Sequence, residues 1–174
     1  MGFNVKVKPA DINEDIPNDI DCVSFVEMLA VKKARETAKE CDEDDMILGA
    51  DTVVVYDDLI MGKPADESEA FAMLNMLSGN WHDVYTGFAV IHEGKEVVDY
   101  CRTRVKFRDL SEEEIEAYVK TGEYEDKAGG YGIQERGAAL VEQIDGDYFN
   151  VVGLPVCKVA VIFKEEFGIN VFDL

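Results

Sequence analysis

Histidine is scarce in this chain: His82 and His92 are the only two among 174 residues, and neither stands at a ligand spacing from Cys22, Cys41, Cys101 or Cys157. A zinc site needs such clustering, so none is expected. The four cysteines form no CxxC pair and lie far apart, which reads as reduced, packing side chains rather than a disulfide framework. Basic residues are also few, 17 against 37 acids for a formal charge of -20, and no basic stripe with interleaved aromatics is seen. A nucleic acid polymer is therefore not an expected partner, because the phosphate backbone would be repelled. The chain has no apolar run of membrane length, and Met1 to Val7 is a short alternating stretch rather than a signal sequence. Met1-Gly2 without Ser or Thr at position 6 argues against myristoylation. No membrane partner and a soluble, cytoplasmic location are the expectations. Only four prolines punctuate the chain, with no repeat, linker or low-complexity tract. Because 47% of the residues are hydrophobic, there is apolar surface enough for one compact domain, or for two small lobes sharing one cleft.

Periodicity supplies the elements. Asn4 to Lys8 alternates like a strand, and Pro9 to Asp21 reads as an acid-rich solvated loop containing Glu14. Ser24 with Glu27 predicts a capping box for a helix running to about Glu40, with Phe25, Met28 and Leu29 at helical spacing. One of Lys32 and Lys33 can then face a cleft while the other is solvated. Met46 to Tyr56 predicts a strand, Asp57-Asp58 a turn and Leu59 to Met61 a short return strand. Asp66 with Glu69, and Ser111 with Glu114, predict two further capped helices. Between them, Trp81 to Glu93 and Glu96 to Phe107 alternate like a hairpin with one wet face. Glycines crowd the stretch from Glu123 to Gly137, which predicts a second functional loop. A strand at 138–144, an extended piece at 148–152 and a helix opened by Pro155 and closed by Gly168 complete the reading. Helices and strands alternate around one long hairpin, so the class is α/β with a mixed, twisted sheet flanked by helices.

Asp51 is the costly residue. It lies in the run Gly49 to Val55, whose β-branched residues suit a strand covered on both faces, and a carboxylate there needs a partner or a metal. The plain alternative is that it caps a neighbouring loop. Three stretches join acids and lysines to glycine or proline: the strand carrying Asp51, Gly62-Lys63-Pro64, and Asp126 to Gln134. Together they suggest a polyphosphate site, since phosphoryl chemistry needs cations on the phosphate oxygens, a carboxylate-held divalent metal and a positioned water. Lys63, Lys127 and Lys33 are candidates for the charge, and Asp51 and Glu14 for the metal or water. Any single lysine, taken alone, is more often a surface residue.

These stretches, with His82 and Val84-Tyr85-Thr86-Gly87, Tyr131-Gly132-Ile133-Gln134 and Gly153-Leu154-Pro155, resemble the ordered motifs of the Maf family over nearly the whole chain. The resemblance implies a Maf/ITPase-like fold of two lobes around a central cleft. It implies a nucleoside triphosphate pyrophosphatase, a hydrolase that splits the α-β phosphoanhydride to give the nucleoside monophosphate and pyrophosphate, with Mg²⁺ or Mn²⁺ as cofactor. By the same resemblance Asp51 is the catalytic proton acceptor, and Glu14, Lys33 and Lys63 fall at metal and phosphate positions. Thr52 and Gln134 fall at positions that sort substrates, and resemble the subgroup acting on dTTP and UTP. Family members also carry a first strand and a Ser/Pro/Arg-rich turn, and no Ser-Pro-Arg-Arg occurs here. The expectation is a single domain over residues 1–174 without that strand and turn. The alternative this raises is a catalytically impaired nucleotide-binding member or a folded remnant, for which a homodimer would cover the exposed core.

Overall fold

A computed structural model describes residues 3–16 and 20–173. Its elements are α1 (Cys22–Ala38), β1 (Ile47–Tyr56), β2 (Leu59–Met61), α2 (Glu67–Leu77), β3 (Trp81–His92), β4 (Lys95–Phe107), α3 (Glu112–Val119), β5 (Val141–Asp145), α4 (Tyr148–Val152) and α5 (Val156–Phe167), with 3-10 turns at Ala128–Gly130 and Glu135–Leu140. The strand order is β2-β1-β3-β4-β5, an α/β arrangement with helices against the sheet. The chain divides into two compact units: Met1–Asp51 with Thr86–Cys101 and Gly153–Leu174, and Thr52–Tyr85 with Arg102–Val152.

The first unit is built on strand alternation. Ile47 of β1 and Ala89 of β3 pack with Ala30 and Ala34 of α1. Their neighbours Leu48, Ala50, Phe88 and Val90 pack instead with Val159, Ile162 and Phe163 of α5. Side chains alternate between the two faces of a strand, so each strand here is covered by α1 on one face and α5 on the other. The helix α1 lies very close. A Cβ on Gly49 would stand 2.5 Å from the Ala30 carbonyl oxygen, and one on Gly87 would stand 2.5 Å from the Val26 carbonyl. Asp21 caps α1, its carboxylate accepting from the Ser24 N–H and hydroxyl. Gly168, with φ of 70°, ends α5, its N–H and that of Ile169 reaching the Lys164 and Phe163 carbonyls.

The second unit has its own core, in which Val54, Met61, Leu74, Leu77, Phe107 and Ile115 are prominent. β1 pairs antiparallel with β2 in the register Val54↔Met61, Val55↔Ile60, Tyr56↔Leu59. The joining residues Asp57 and Asp58 have φ of 50° and 63°, the mirror-image turn whose twist suits a tight hairpin. Asp66 caps α2, and Ser111 with Glu114 forms a complete capping box on α3. β4 pairs antiparallel with β5.

Several expectations are corrected. Residues 4–8 form no strand: Val5 and Val7 are 73% and 86% exposed, and no ladder satisfies the backbone there. Alternation alone does not make a strand without a neighbour to pair with. Residues 17–19 of the acid-rich loop, and residues 1 and 2, lie outside the described residues. The Ser24/Glu27 box is displaced: the cap is Asp21, three residues earlier, with Ser24 as its donor. The hairpin turn falls at Glu93-Gly94, and β3 is buried continuously from Thr86 to Val90 instead of having one wet face, because α1 and α5 cover both sides. Residues 135–140 form a 3-10 turn before β5 starts at Val141, and 148–152 is helical because the Asp147 carboxylate accepts from the Phe149 N–H.

Candidate active site

Asp51 is the last residue of the first unit and shares a strand face with Ile47 and Gly49, the face covered by α1. Lys33 lies on α1 one residue before Ala34, which packs on that same face, so its stem leads to the strand end where Asp51 emerges. The Lys33 ammonium stands 2.5 Å from Asp51 Oδ1 and 2.7 Å from Glu14 Oε1. The Asp51 side chain is 11% exposed. Lys32, one residue away, is solvent-exposed, as helical spacing requires. Burial works to lower the Lys33 pKa, but the hydrogen bonds to Asp51 and then Glu14 outweigh it, and the net shift is upward. Lys33 is therefore a firmly charged ammonium held by two carboxylates.

That convergence has the chemistry of a cation site. Carboxylate oxygens are the hard donors that Mg²⁺ and Mn²⁺ prefer. Among the described residues no cluster of three or more His, Cys, Asp or Glu side chains is placed to hold a metal. Two carboxylates fit the way Mg²⁺ is usually held, by one or two protein ligands with substrate phosphates and waters completing the shell.

Thr52, Lys63, Lys127 and Gln134 belong to the second unit. The β1/β2 register, carried two residues past Val54↔Met61, falls on Thr52 and Lys63. The Gly129 N–H donates to the Gly62 carbonyl at 2.9 Å, which ties the loop after Asp126 to the loop holding Lys63. Gly129 has φ of 68°, and a Cβ there would strike the Val54 side chain at 2.9 Å, so the 128–130 turn sits directly on β1. The Lys127 stem folds over the same loop, its Cε 3.5 Å from where a Gly132 Cβ would be. Lys63 and Lys127 are both exposed, as is Gln134, which stands just before the 3-10 turn Glu135–Leu140. Asp126 and Glu135, the residues flanking this stretch, have φ of 58° and 53°, left-handed values that β-carbon-bearing residues rarely adopt. Such strain concentrates at functional sites.

The structure thus brings Glu14, Lys33 and Asp51 together in one unit and gathers the Thr52, Lys63 and Lys127 segments with that of Gln134 in the other. Asp51 and Thr52 are joined by one peptide bond. Periodicity gave no hint of two further features. Gly49 and Gly87, which let α1 approach, carry no side chain for a pattern to register. His82, on β3, is buried and bonded to Tyr131. Burial depresses the His82 pKa from 6.5 to about 4, so the ring is neutral at pH 7.

Comparison with known proteins bears on the same residues. A family model described as "Maf-like protein" matches residues 1–166. A protein named dTTP/UTP pyrophosphatase from Clostridioides difficile (strain 630) is 53% identical over 150 residues, covering 85% of this chain and 77% of that one. Another of that name from Alkaliphilus oremlandii (strain OhILAs) is 45% identical over 172 residues, covering 98% and 89%. A third, from Moorella thermoacetica (strain ATCC 39073 / JCM 9320), is 47% identical over 174 residues, covering 99% and 89%.

Proposed function

The chain belongs to the Maf family, and from that membership we propose that it hydrolyses dTTP and UTP to the nucleoside monophosphate and pyrophosphate. The observation that carries this reading is its likeness, across nearly its full length, to relatives bearing that activity in their names. The geometry accords with it. Water attacks the α-phosphorus, the bond from that phosphorus to the α-β bridging oxygen breaks, and pyrophosphate departs with the bond's electron pair. Asp51 takes the proton of the attacking water, as a carboxylate largely shielded from solvent and held by Lys33 can. Glu14 and Asp51 would hold the divalent cation, Mg²⁺ or Mn²⁺, which supplies neutralisation of the charge that grows on the phosphate oxygens.

A triphosphate brings about four negative charges to a protein that already carries -20, so local cations decide whether it binds. Lys33, Lys63 and Lys127 take that role. Gln134 offers a donor and an acceptor from one amide, matching the alternating carbonyl and N–H groups of a uracil or thymine edge. Thr52, next to Asp51, sorts substrates together with Gln134. The reading puts the enzyme in the cytoplasm, where its substrates are made, and four cysteines far apart in sequence with no CxxC pair suit that compartment. Purified protein incubated with dTTP, UTP, CTP and 7-methyl-GTP in Mg²⁺ tests the proposal by chromatography of the products. Pyrophosphate and monophosphate in equal amounts, fastest from dTTP and UTP, are expected. Release of orthophosphate instead, or no turnover of any of the four, would overturn it.

A further inference from the structure

His82 and Tyr131 are almost completely buried, at 3% and 5% exposure, and His82 Nε2 lies 2.7 Å from the Tyr131 hydroxyl. The surroundings are apolar and aromatic. The rings of His82, Phe107 and Tyr131 pack mutually edge-on, with centroids 5.0, 5.4 and 4.6 Å apart. A phenylalanine at position 82 would fill such a pocket without desolvating a ring nitrogen. His82 instead leaves Nδ1 buried with no protein partner among the described residues, and an unpaired buried polar atom is destabilising. Packing alone therefore does not account for a histidine at this position.

The bond it makes leads to the substrate-sorting loop. Tyr131 opens the stretch that ends at Gln134, and the rest of that stretch is fastened as well. The Gly132 N–H donates to the Tyr118 hydroxyl at 3.3 Å, and the Gly137 N–H donates to Glu123 Oε2 at 3.2 Å. Gly137 packs so closely that a Cβ would stand 1.9 Å from the Gly132 carbonyl oxygen. Ile133 is buried, Gln134 is exposed, and Glu135 turns the chain through its left-handed conformation. Gln134 is thus an exposed residue on a short segment anchored at both ends, and at the Tyr131 end the side chain is held by His82 while the next N–H is held by Tyr118.

We infer that the His82–Tyr131 hydrogen bond is a brace that fixes where Gln134 presents its amide, so that His82 and Tyr131 are positioning residues for recognition of the pyrimidine base. This rests on the reading of Gln134 as a base contact in the proposed function. A misplacement of about 1 Å in a positioning group costs up to about a hundredfold in rate, so loss of the brace is felt at the base although neither residue touches it.

The test compares wild type with Tyr131→Phe, His82→Phe, His82→Gln and the Tyr131→Phe/His82→Phe double variant. It reads melting temperature, and kcat and KM for UTP and CTP. Tyr131→Phe removes one oxygen and keeps the ring packing, so it decides the matter if His82→Phe fails to fold. The expected result is a fall of about tenfold in the UTP-to-CTP preference of Tyr131→Phe, carried by KM rather than kcat. His82→Phe is expected to match it, the double variant to be no worse than either single, and His82→Gln, which keeps a side-chain amide to meet the phenol, to recover part of the loss. An unchanged preference in active Tyr131→Phe, or losses that multiply in the double variant, would overturn the brace alone. A wild type that turns over no nucleotide would overturn the function on which it rests.

Discussion

The close approach of α1 to the strands beneath it makes Gly49→Ala the most searching perturbation. The new methyl would stand 2.5 Å from the Ala30 carbonyl oxygen, 2.7 Å from Ala34 N and 3.0 Å from Ala34 Cβ. Ordinary van der Waals contact begins at 3.4 Å, so α1 must withdraw by roughly 0.9 Å at this point. The opposing atoms are mostly backbone, and no side chain can swing away to absorb the insertion. Overpacking of this kind costs about 1–3 kcal/mol, which for a chain of this length lowers the melting temperature by roughly 2–12 °C. The same withdrawal carries Lys33 away from Asp51 and Glu14, now 2.5 and 2.7 Å from its ammonium. Hydrolysis should fall by about ten- to a hundredfold although neither carboxylate nor lysine has changed. Gly62→Ala is the control: no atom lies within 4 Å of its added Cβ, so it should not lower the melting temperature and is expected to raise it by about 1–4 °C. Calorimetric melting together with UTP hydrolysis measures both effects. A Gly49→Ala protein as stable and as fast as wild type would refute the reasoning that backbone proximity sets the reach of Lys33.

Asp51→Asn keeps the shape of the side chain and removes its charge and basicity, so the fold should persist while UTP turnover drops by about 10²–10⁴. Turnover within tenfold of wild type would remove Asp51 from the proton transfer. Lys33→Met takes the ammonium from between Glu14 and Asp51, and calorimetric titration should then show Mn²⁺ binding more tightly without nucleotide than it does to wild type. Equal or weaker affinity would mean that the two carboxylates do not form the cation site. The His82 pKa, about 4 in the folded chain against 6.5 unfolded, gives a signed pH dependence. The unfolded chain binds the proton more readily between these values, so this contribution is intact above pH 6.5 and is lost as pH falls toward about 4, roughly 3 kcal/mol in all. Urea denaturation at pH 7 and pH 5 should show a shallower loss in His82→Phe than in wild type. Parallel losses would locate the acid sensitivity elsewhere.

What could be read from the sequence divides along the range of the interaction responsible. The capping box of Ser111 and Glu114 and the Asp57-Asp58 turn depend on neighbours within four residues, and both appear where the pattern puts them. The stretch from Asn4 to Lys8 alternates just as clearly, yet a strand also needs a partner distant in sequence, and among the described residues none pairs with it. Tyr148 to Val152 reads as extended by composition, but the Asp147 cap and the buried Asn150 amide, donating to the Val84 carbonyl and Thr103 Oγ1, hold it as a helical turn. In the candidate site, Asp51 stands out because a carboxylate in an apolar strand is conspicuous, and Lys33 follows from helical spacing. Its meeting with Glu14 follows from no periodicity, since a loop residue carries none, and only the family resemblance places Glu14 at the same site. The Gly129–Gly62 bond that draws two lysine-bearing loops together is likewise a contact between backbones, to which residue type contributes only permission.

The two-residue turn at Asp57-Asp58 has a consequence for how this stretch can vary in length. Because the pairing Val54↔Met61 counts outward from that turn, the number of residues in it determines which residue comes to stand across from Thr52. With the turn kept at two residues, one added residue would replace Lys63 by its neighbour and send the lysine to the opposite side of the strand; two can be taken up as one more pair at the hairpin end, leaving Lys63 across from Thr52. The spacing therefore acts as a counting rule: insertions here should be poorly tolerated when odd in number, even though the turn itself is exposed.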